Sequence, residues 1–109
     1  MKDDDSVNIE VLHIDDCLSW VEAGNRLREA LDTAGFEGTE IVYRVLRTAE
    51  DSARVEFAGS PTILLDGQDL FPGAEQTSDL ACRVYPTPVG LAGTPTTKQL
   101  IDALASRGR

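Results

Sequence analysis

Few side chains in this sequence can do covalent chemistry: two cysteines, Cys17 and Cys82, and one histidine, His13. A cysteine acts as a nucleophile or a soft-metal ligand only as its thiolate, so its surroundings decide what it does. Cys17 stands between the apolar run Val7–Ile14 and a helical stripe that begins at Ser19. At such a junction, unpaired backbone N–H groups and the helix dipole favour the thiolate. Asp15 and Asp16 adjoin it and favour the protonated thiol, so opposing influences meet at one sulfur. His13 lies four positions earlier, about 13 Å away along a strand. That spacing makes it a packed strand histidine rather than a metal partner for Cys17. The sequence holds no G-x-x-x-x-G-K loop, no H-E-x-x-H helix and no G-x-S-x-G elbow. With strand geometry pointing its one histidine away from Ser19, hydrolase chemistry is disfavoured.

The elements that must position these residues are read from periodicity. Val7–Ile14 mixes alternation with a solid apolar end, which predicts a first strand covered on both faces toward its C-terminus. Trp20, Ala23, Leu27, Ala30, Leu31 and Ala34 recur at helical spacing and trace one stripe, ended by Gly35. Trp20 therefore reads first as packing. Thr39–Arg47, rich in β-branched residues, predicts a second strand. Thr48 then caps a second helix carrying Ala49, Ala53, Val55 and Phe57, with Glu50 and Asp51 at its positive end, finished by Ala58-Gly59. Pro61–Leu65 is a third strand closed by the turn Asp66-Gly67. Gln68–Leu80 reads as a long connection and Ala81–Tyr85 as a fourth strand returning beside the third, with Asp66 and Asp69 as turn residues. Thr94-Pro95 supplies a cap and a first-position proline for a last helix bearing Leu100, Ile101 and Leu104. The expected order is β-α-β-α-β-β-α.

This order, a cysteine ending strand one and Gly59-Ser60-Pro61-Thr62 opening strand three together resemble the thioredoxin superfamily over residues 7–106. Within it the chain is most similar to small glutaredoxin-like proteins, a family that includes selenocysteine-containing members. The resemblance implies a thioredoxin-like α/β domain with a mixed four-stranded sheet in the order 2-1-3-4 and helices on both faces. It also implies a cis-Pro61 loop lying against the active cysteine, and an X-Pro bond at a tight strand entry is a natural cis site. Where the superfamily has C-x-x-C, Cys17-Leu18-Ser19-Trp20 puts a tryptophan in place of the resolving cysteine. Internal release of a mixed disulfide is then lost, and a one-cysteine mechanism follows. Cys17 attacks a disulfide sulfur, Ser60 offers its backbone to the bound thiol segment beside Pro61, and an external thiol resolves the intermediate. Trp20, Gly93 and Thr94 complete the substrate side. The loop through Gly90 and Gly93 flanks Cys17, and free N–H groups of Thr96 and Thr97 could hold a carboxylate of a small thiol.

In the implied strand order, strand four is separated from strand one by about 9–10 Å, whereas disulfide-bonded Cα atoms seldom lie beyond ~7 Å. A resting Cys17–Cys82 bridge is therefore disfavoured, and Cys82 is expected to be a buried thiol acting as a small hydrophobe. Its sharper readings are a remote resolving cysteine, or a second thiolate for mercury or copper(I) reached through a loop rearrangement. Leu70-Phe71-Pro72 is expected at the pole opposite Cys17, because strand three runs away from Pro61.

The 109 residues, 41% hydrophobic and 6% aromatic, suit one domain with an aliphatic core. Residues 1–6 read as a disordered acidic lead, 7–106 as the domain and 107–109 as a tail. Ten basic against nineteen acidic residues give a net charge of −9, the wrong sign for phosphates or anionic lipid, so nucleic acid and membrane are disfavoured as partners. No apolar run approaches the ~18 residues of a span. Met1–Asp5 lacks the apolar stretch of a secretion signal. Two cysteines point to a reducing cytoplasm. The leading expectation is a cytoplasmic monothiol thiol–disulfide oxidoreductase with Cys17 as nucleophile, needing no metal or cofactor beyond a small thiol such as glutathione. Its partners would be a small thiol or a disulfide-bearing protein, and its state a monomer or weak homodimer. Two rivals stand beside it: a non-catalytic thioredoxin-fold binding module, and soft-metal or organomercurial binding by Cys17 and Cys82.

Overall fold

The first strand, β1 (Ile9–His13), is buried at every position but Glu10, as its apolar end requires. The computed structural model describes residues 8–15, 19–36, 38–55, 57–71 and 82–107. The acidic lead, the junction holding Cys17, most of the expected long connection and the last two residues lie outside the described residues. β1 pairs in parallel with β2 (Ile41–Val45) and antiparallel with β3 (Thr62–Leu65). β4 (Gln68–Asp69) pairs with β3 and completes a mixed four-stranded sheet in the order β2-β1-β3-β4.

Strand alternation divides the core between two faces. Ile9, Val11, Ile63 and Leu65 pack with Leu27 and Leu31 of α1 (Ser19–Thr33) and with Leu100 and Leu104 of α3 (Thr97–Arg107). Leu12, Ile14 and Leu64 belong to a second cluster with Leu46 and Phe57. The α1 stripe buries Ala23, Gly24, Leu27, Ala30 and Leu31, and Gly35 stops the helix at a left-handed φ of 94°. In α2 (Ala49–Ala53), the Thr48 side chain accepts the Asp51 N–H at 3.0 Å, as the cap expectation required. This helix is shorter than expected, because Val55 and Phe57 reach the second cluster from the chain beyond it.

Two element assignments need correction. The fourth strand is Gln68–Asp69, directly after the turn, and not Ala81–Tyr85. Asp66 at φ 53° and Gly67 at φ 84° both take the positive values of a tight two-residue hairpin turn, so the chain reverses at once. Of the expected fourth strand, Cys82 forms a single bridge to Ser60, and Tyr85 begins a separate hairpin, β5 (Tyr85–Thr87) with β6 (Gly90–Ala92). The last helix is capped by Thr96, not Thr94. The Thr96 hydroxyl accepts the Gln99 N–H at 3.1 Å while Gln99 Oε1 accepts the Thr96 N–H at 2.9 Å, a reciprocal capping box. Among the described residues no helix is long and apolar enough to cross a membrane.

Candidate functional site

The end of β1 carries the chain toward Cys17, which lies outside the described residues with its neighbours Asp16 and Leu18. Beside the described end of β1 lies the entry to β3. Antiparallel pairing of Leu12 with Thr62 brings Ser60 and Pro61 beside Ile14, whose N–H donates to Ser60 Oγ at 3.1 Å. The Ser60-Pro61 bond is cis, as expected, and both residues are buried. Thr62 Oγ1 accepts the Ala58 N–H at 3.1 Å and donates to the Gly59 carbonyl, which closes the loop on itself.

The chain's own segment 82–83 lies along this loop. Cys82 bridges Ser60 in parallel fashion, and the Arg83 N–H donates to the Ser60 carbonyl at 2.8 Å. Part of the Ser60 backbone, expected to face an outside thiol segment, is thus already engaged from within. Gly59 makes the approach feasible: it sits at φ 108°, and a Cβ there would come within 2.8 Å of Arg83 Cβ and 3.0 Å of its Cα. Cys82 is solvent-exposed and disulfide-bonded. This corrects the expectation of a buried resting thiol. The sideways spacing behind that expectation assumed Cys82 in a strand beyond β3, whereas the early turn at Asp66-Gly67 leaves residues 82–83 free to lie at the strand-entry end of the sheet, on Ser60. The chain's one other cysteine is Cys17.

A buried polar cluster fixes this segment. Arg83 Nη1 donates to Asp69 Oδ2 at 2.9 Å and Nη2 to the Phe71 carbonyl at 2.7 Å, while Asp69 Oδ1 accepts the Phe71 N–H at 2.9 Å. The side chains of Arg83 and Asp69 are only 6% and 11% exposed. The guanidinium also lies 4.5 Å over the Tyr85 ring, and Phe71 meets that ring edge-on at 5.6 Å. Tyr85 Oη donates to the Pro61 carbonyl. Burial pushes the Tyr85 hydroxyl well above its ordinary pKa, with a smaller lowering influence from Arg83 and a smaller raising one from Asp69, so it is a permanent donor. Leu70 and Phe71 therefore lie on the Pro61 side and not at the opposite pole, because the chain returns along β3 as soon as the hairpin turns: the Leu70 N–H donates to Ile63 O at 2.8 Å.

On the α1 side the end of β1 is lined by aromatic rings. His13 stacks on Trp20 with centroids 4.1 Å apart, and Trp20 meets Tyr43 edge-on at 5.5 Å. Gly24 leaves room for the Tyr43 hydroxyl, which touches the place a Cβ would take. His13 is packed as expected, but its buried Nδ1 has no hydrogen-bond partner. Burial lowers its pKa below 6.5, against weaker upward influences from the Ile14 backbone and Asp15. Asp15 pairs with Arg47 at 3.4 Å, so one of the two carboxylates expected to oppose a thiolate is shared with a cation.

Gly93 lies against the first turn of α1, where a Cβ would come within 2.5 Å of Ser19 Oγ, so the loop before α3 packs on the start of that helix. Thr94 is buried and donates to the Pro95 carbonyl at 3.2 Å, while Arg26 Nη1 reaches the same carbonyl at 3.0 Å. The Thr96 N–H is bound to Gln99, which removes one of the two amides expected to hold a carboxylate. Ser60, Pro61 and Cys82 are thus brought together, Gly93 lies against the first turn of α1 that carries Trp20, and Thr94 is a buried link. Arg83, Asp69, Tyr85 and Tyr43 were missed. No sequence signal could have found the Arg83–Asp69 pair, since the two residues are fourteen positions apart and meet only through the fold. Among the described residues no group of three or more His, Cys, Asp or Glu could hold a metal ion. No family model, curated protein or solved structure matches this chain.

Proposed function

We propose that the chain is a thioredoxin-like thiol–disulfide oxidoreductase in which Cys17 and Cys82 form the redox pair. The observation that supports this reading best is a disulfide-bonded Cys82 held on Ser60, next to the cis-Pro61 loop and beside the strand end that runs on to Cys17. The strand order β2-β1-β3-β4 and the helix that follows β1 agree with a thioredoxin-like frame. Trp20 holds the place of the usual second cysteine, and Cys82 supplies the missing thiol from a distant part of the chain.

In the reducing direction the Cys17 thiolate attacks a substrate disulfide RS–SR′, forming Cys17–S–S–R and releasing R′S⁻, which takes up a proton. Cys82 thiolate then attacks the Cys17 sulfur, closing the internal disulfide and releasing RS⁻. The substrate gains two electrons and the protein loses them. Two equivalents of a small thiol return the pair to its dithiol form and leave as their own disulfide. One-cysteine turnover, with a small thiol such as glutathione as resolver, is the form this chemistry takes when Cys82 is absent.

Peptide mapping of the non-reduced protein should find Cys17 joined to Cys82. Reduction of a small mixed disulfide should be abolished in Cys17→Ser, and Cys82→Ser should accumulate the Cys17 mixed disulfide. Partner capture that survives Cys17→Ser with no disulfide reduction by the wild type would instead favour a binding module. Tight mercury or copper(I) binding by the reduced protein that needs both cysteines, without turnover, would favour a metal-handling role.

A further inference from the structure

We infer that Asp69, Arg83 and Tyr85 are positioning residues that keep Cys82 at its station whether or not its disulfide is formed; this rests on the pairing proposed above. The segment carrying Cys82 is held by interactions that do not involve sulfur. The Arg83 N–H is bound to the Ser60 carbonyl at 2.8 Å. Its guanidinium is bound to Asp69 at 2.9 Å and to the Phe71 carbonyl at 2.7 Å. Two residues on, Tyr85 Oη is bound to the Pro61 carbonyl. These anchors tie residues 83–85 to both ends of the β3–β4 hairpin, to Ser60 and Pro61 at its start and to Asp69 and Phe71 at its finish.

A thiol held this way loses little freedom when it forms a bond, so its effective concentration toward Cys17 is high. A high effective concentration stabilises the internal disulfide and lowers its reduction potential. It also speeds the resolving step, in which Cys82 attacks the Cys17 mixed disulfide. A cysteine on an untethered loop would behave in the opposite way: a weak, easily reduced disulfide and slow resolution. The clamp thus does for Cys82 what close spacing does in a C-x-x-C pair, by holding the second sulfur near the first.

The test equilibrates the full chain in dithiothreitol buffers of graded ratio and reads the oxidised fraction by alkylation and mass spectrometry. Asp69→Asn should lower the equilibrium constant for disulfide formation by on the order of tenfold, which is about 30 mV. Tyr85→Phe, which keeps the ring and removes one hydrogen bond, should lower it about threefold, about 14 mV. Arg83→Lys, which keeps the charge opposite Asp69 and gives up the fork that also binds Phe71, should fall between wild type and Arg83→Met. The rate of mixed-disulfide resolution should fall in the same order. Wild-type constants and rates in folded Tyr85→Phe and Asp69→Asn, checked by circular dichroism, would overturn the inference; Tyr85→Phe decides alone if the charged variants fail to fold. A non-reduced peptide map lacking the Cys17–Cys82 link would instead overturn the pairing on which it rests.

Discussion

The two flanks of the β1 end are built on different principles. On the Cys82 flank, Arg83, Asp69, Tyr85 and Pro61 form a buried polar cluster whose groups answer one another. On the α1 flank, His13, Trp20 and Tyr43 meet through ring faces and edges, and the imidazole keeps an unpartnered Nδ1. Hydrogen bonds fix direction and distance, whereas stacked rings tolerate sliding, so the first flank specifies a position and the second fills a space. A sulfur that must meet another sulfur belongs on the first kind of surface.

This contrast can be broken in four ways. Asp69→Leu should have the largest effect, because it leaves the buried Arg83 guanidinium without its carboxylate; a loss of about 3–5 kcal/mol in denaturant unfolding is expected. Replacing both partners with apolar residues should recover much of it. Gly59→Ala comes next, at about 1–3 kcal/mol, since φ 108° is unfavourable for a side chain and the new Cβ meets the Cβ and backbone of Arg83. A Gly59→Ala protein as stable as wild type would mean that the segment 82–83 is free to withdraw.

On the aromatic flank the effects should be smaller. His13 titrates below its unfolded value of 6.5, so between the two values the unfolded chain binds a proton that the folded one does not. Stability should therefore decline as pH falls through 6.5 and level off below the folded value, with a slope of at most about 1.4 kcal/mol per pH unit. Denaturant midpoints measured from pH 7.5 downward should show that decline, and His13→Phe should flatten it while keeping a ring against Trp20. Gly24→Ala should be the mildest. Alanine gains about 1 kcal/mol of helix propensity, and this offsets the cost of pushing aside the end of the Tyr43 side chain. A change in Trp20 fluorescence with little change in melting temperature would show it; a loss as large as that of Gly59→Ala would erase the difference between the flanks.

What could be read from the sequence was what local patterns encode. The α1 stripe, the Thr48 cap, the mixed pattern of β1 and the apolar run of β3 follow from periodicity and side-chain chemistry, and the cis Ser60-Pro61 loop follows from a proline opening a strand. The fourth strand lies earlier than its apolar run suggests because Asp66-Gly67 not only ends a strand but also encodes an immediate reversal. That single displacement carried Cys82 to the wrong place and Phe71 to the wrong pole. The cap of α3 shifted by two residues because Thr94, Thr96 and Thr97 compete, and only Thr96 has Gln99 three positions later to complete the pair. The clamp was not legible, since Asp69 and Arg83 are joined only by the fold.

The bond between the Ile14 N–H and Ser60 Oγ gives this molecule a built-in sentinel. An amide at the end of a strand ordinarily exchanges with solvent as the ladder frays, but this one is buried and rests on a hydroxyl that belongs to the Pro61 loop. Its deuterium uptake reports whether β1 and that loop stay together, one atom's worth of readout placed at the edge of the cysteine junction. Ser60→Ala would remove the acceptor and let the amide exchange at the rate of local opening, giving a reference against which every other perturbation of the loop can be timed.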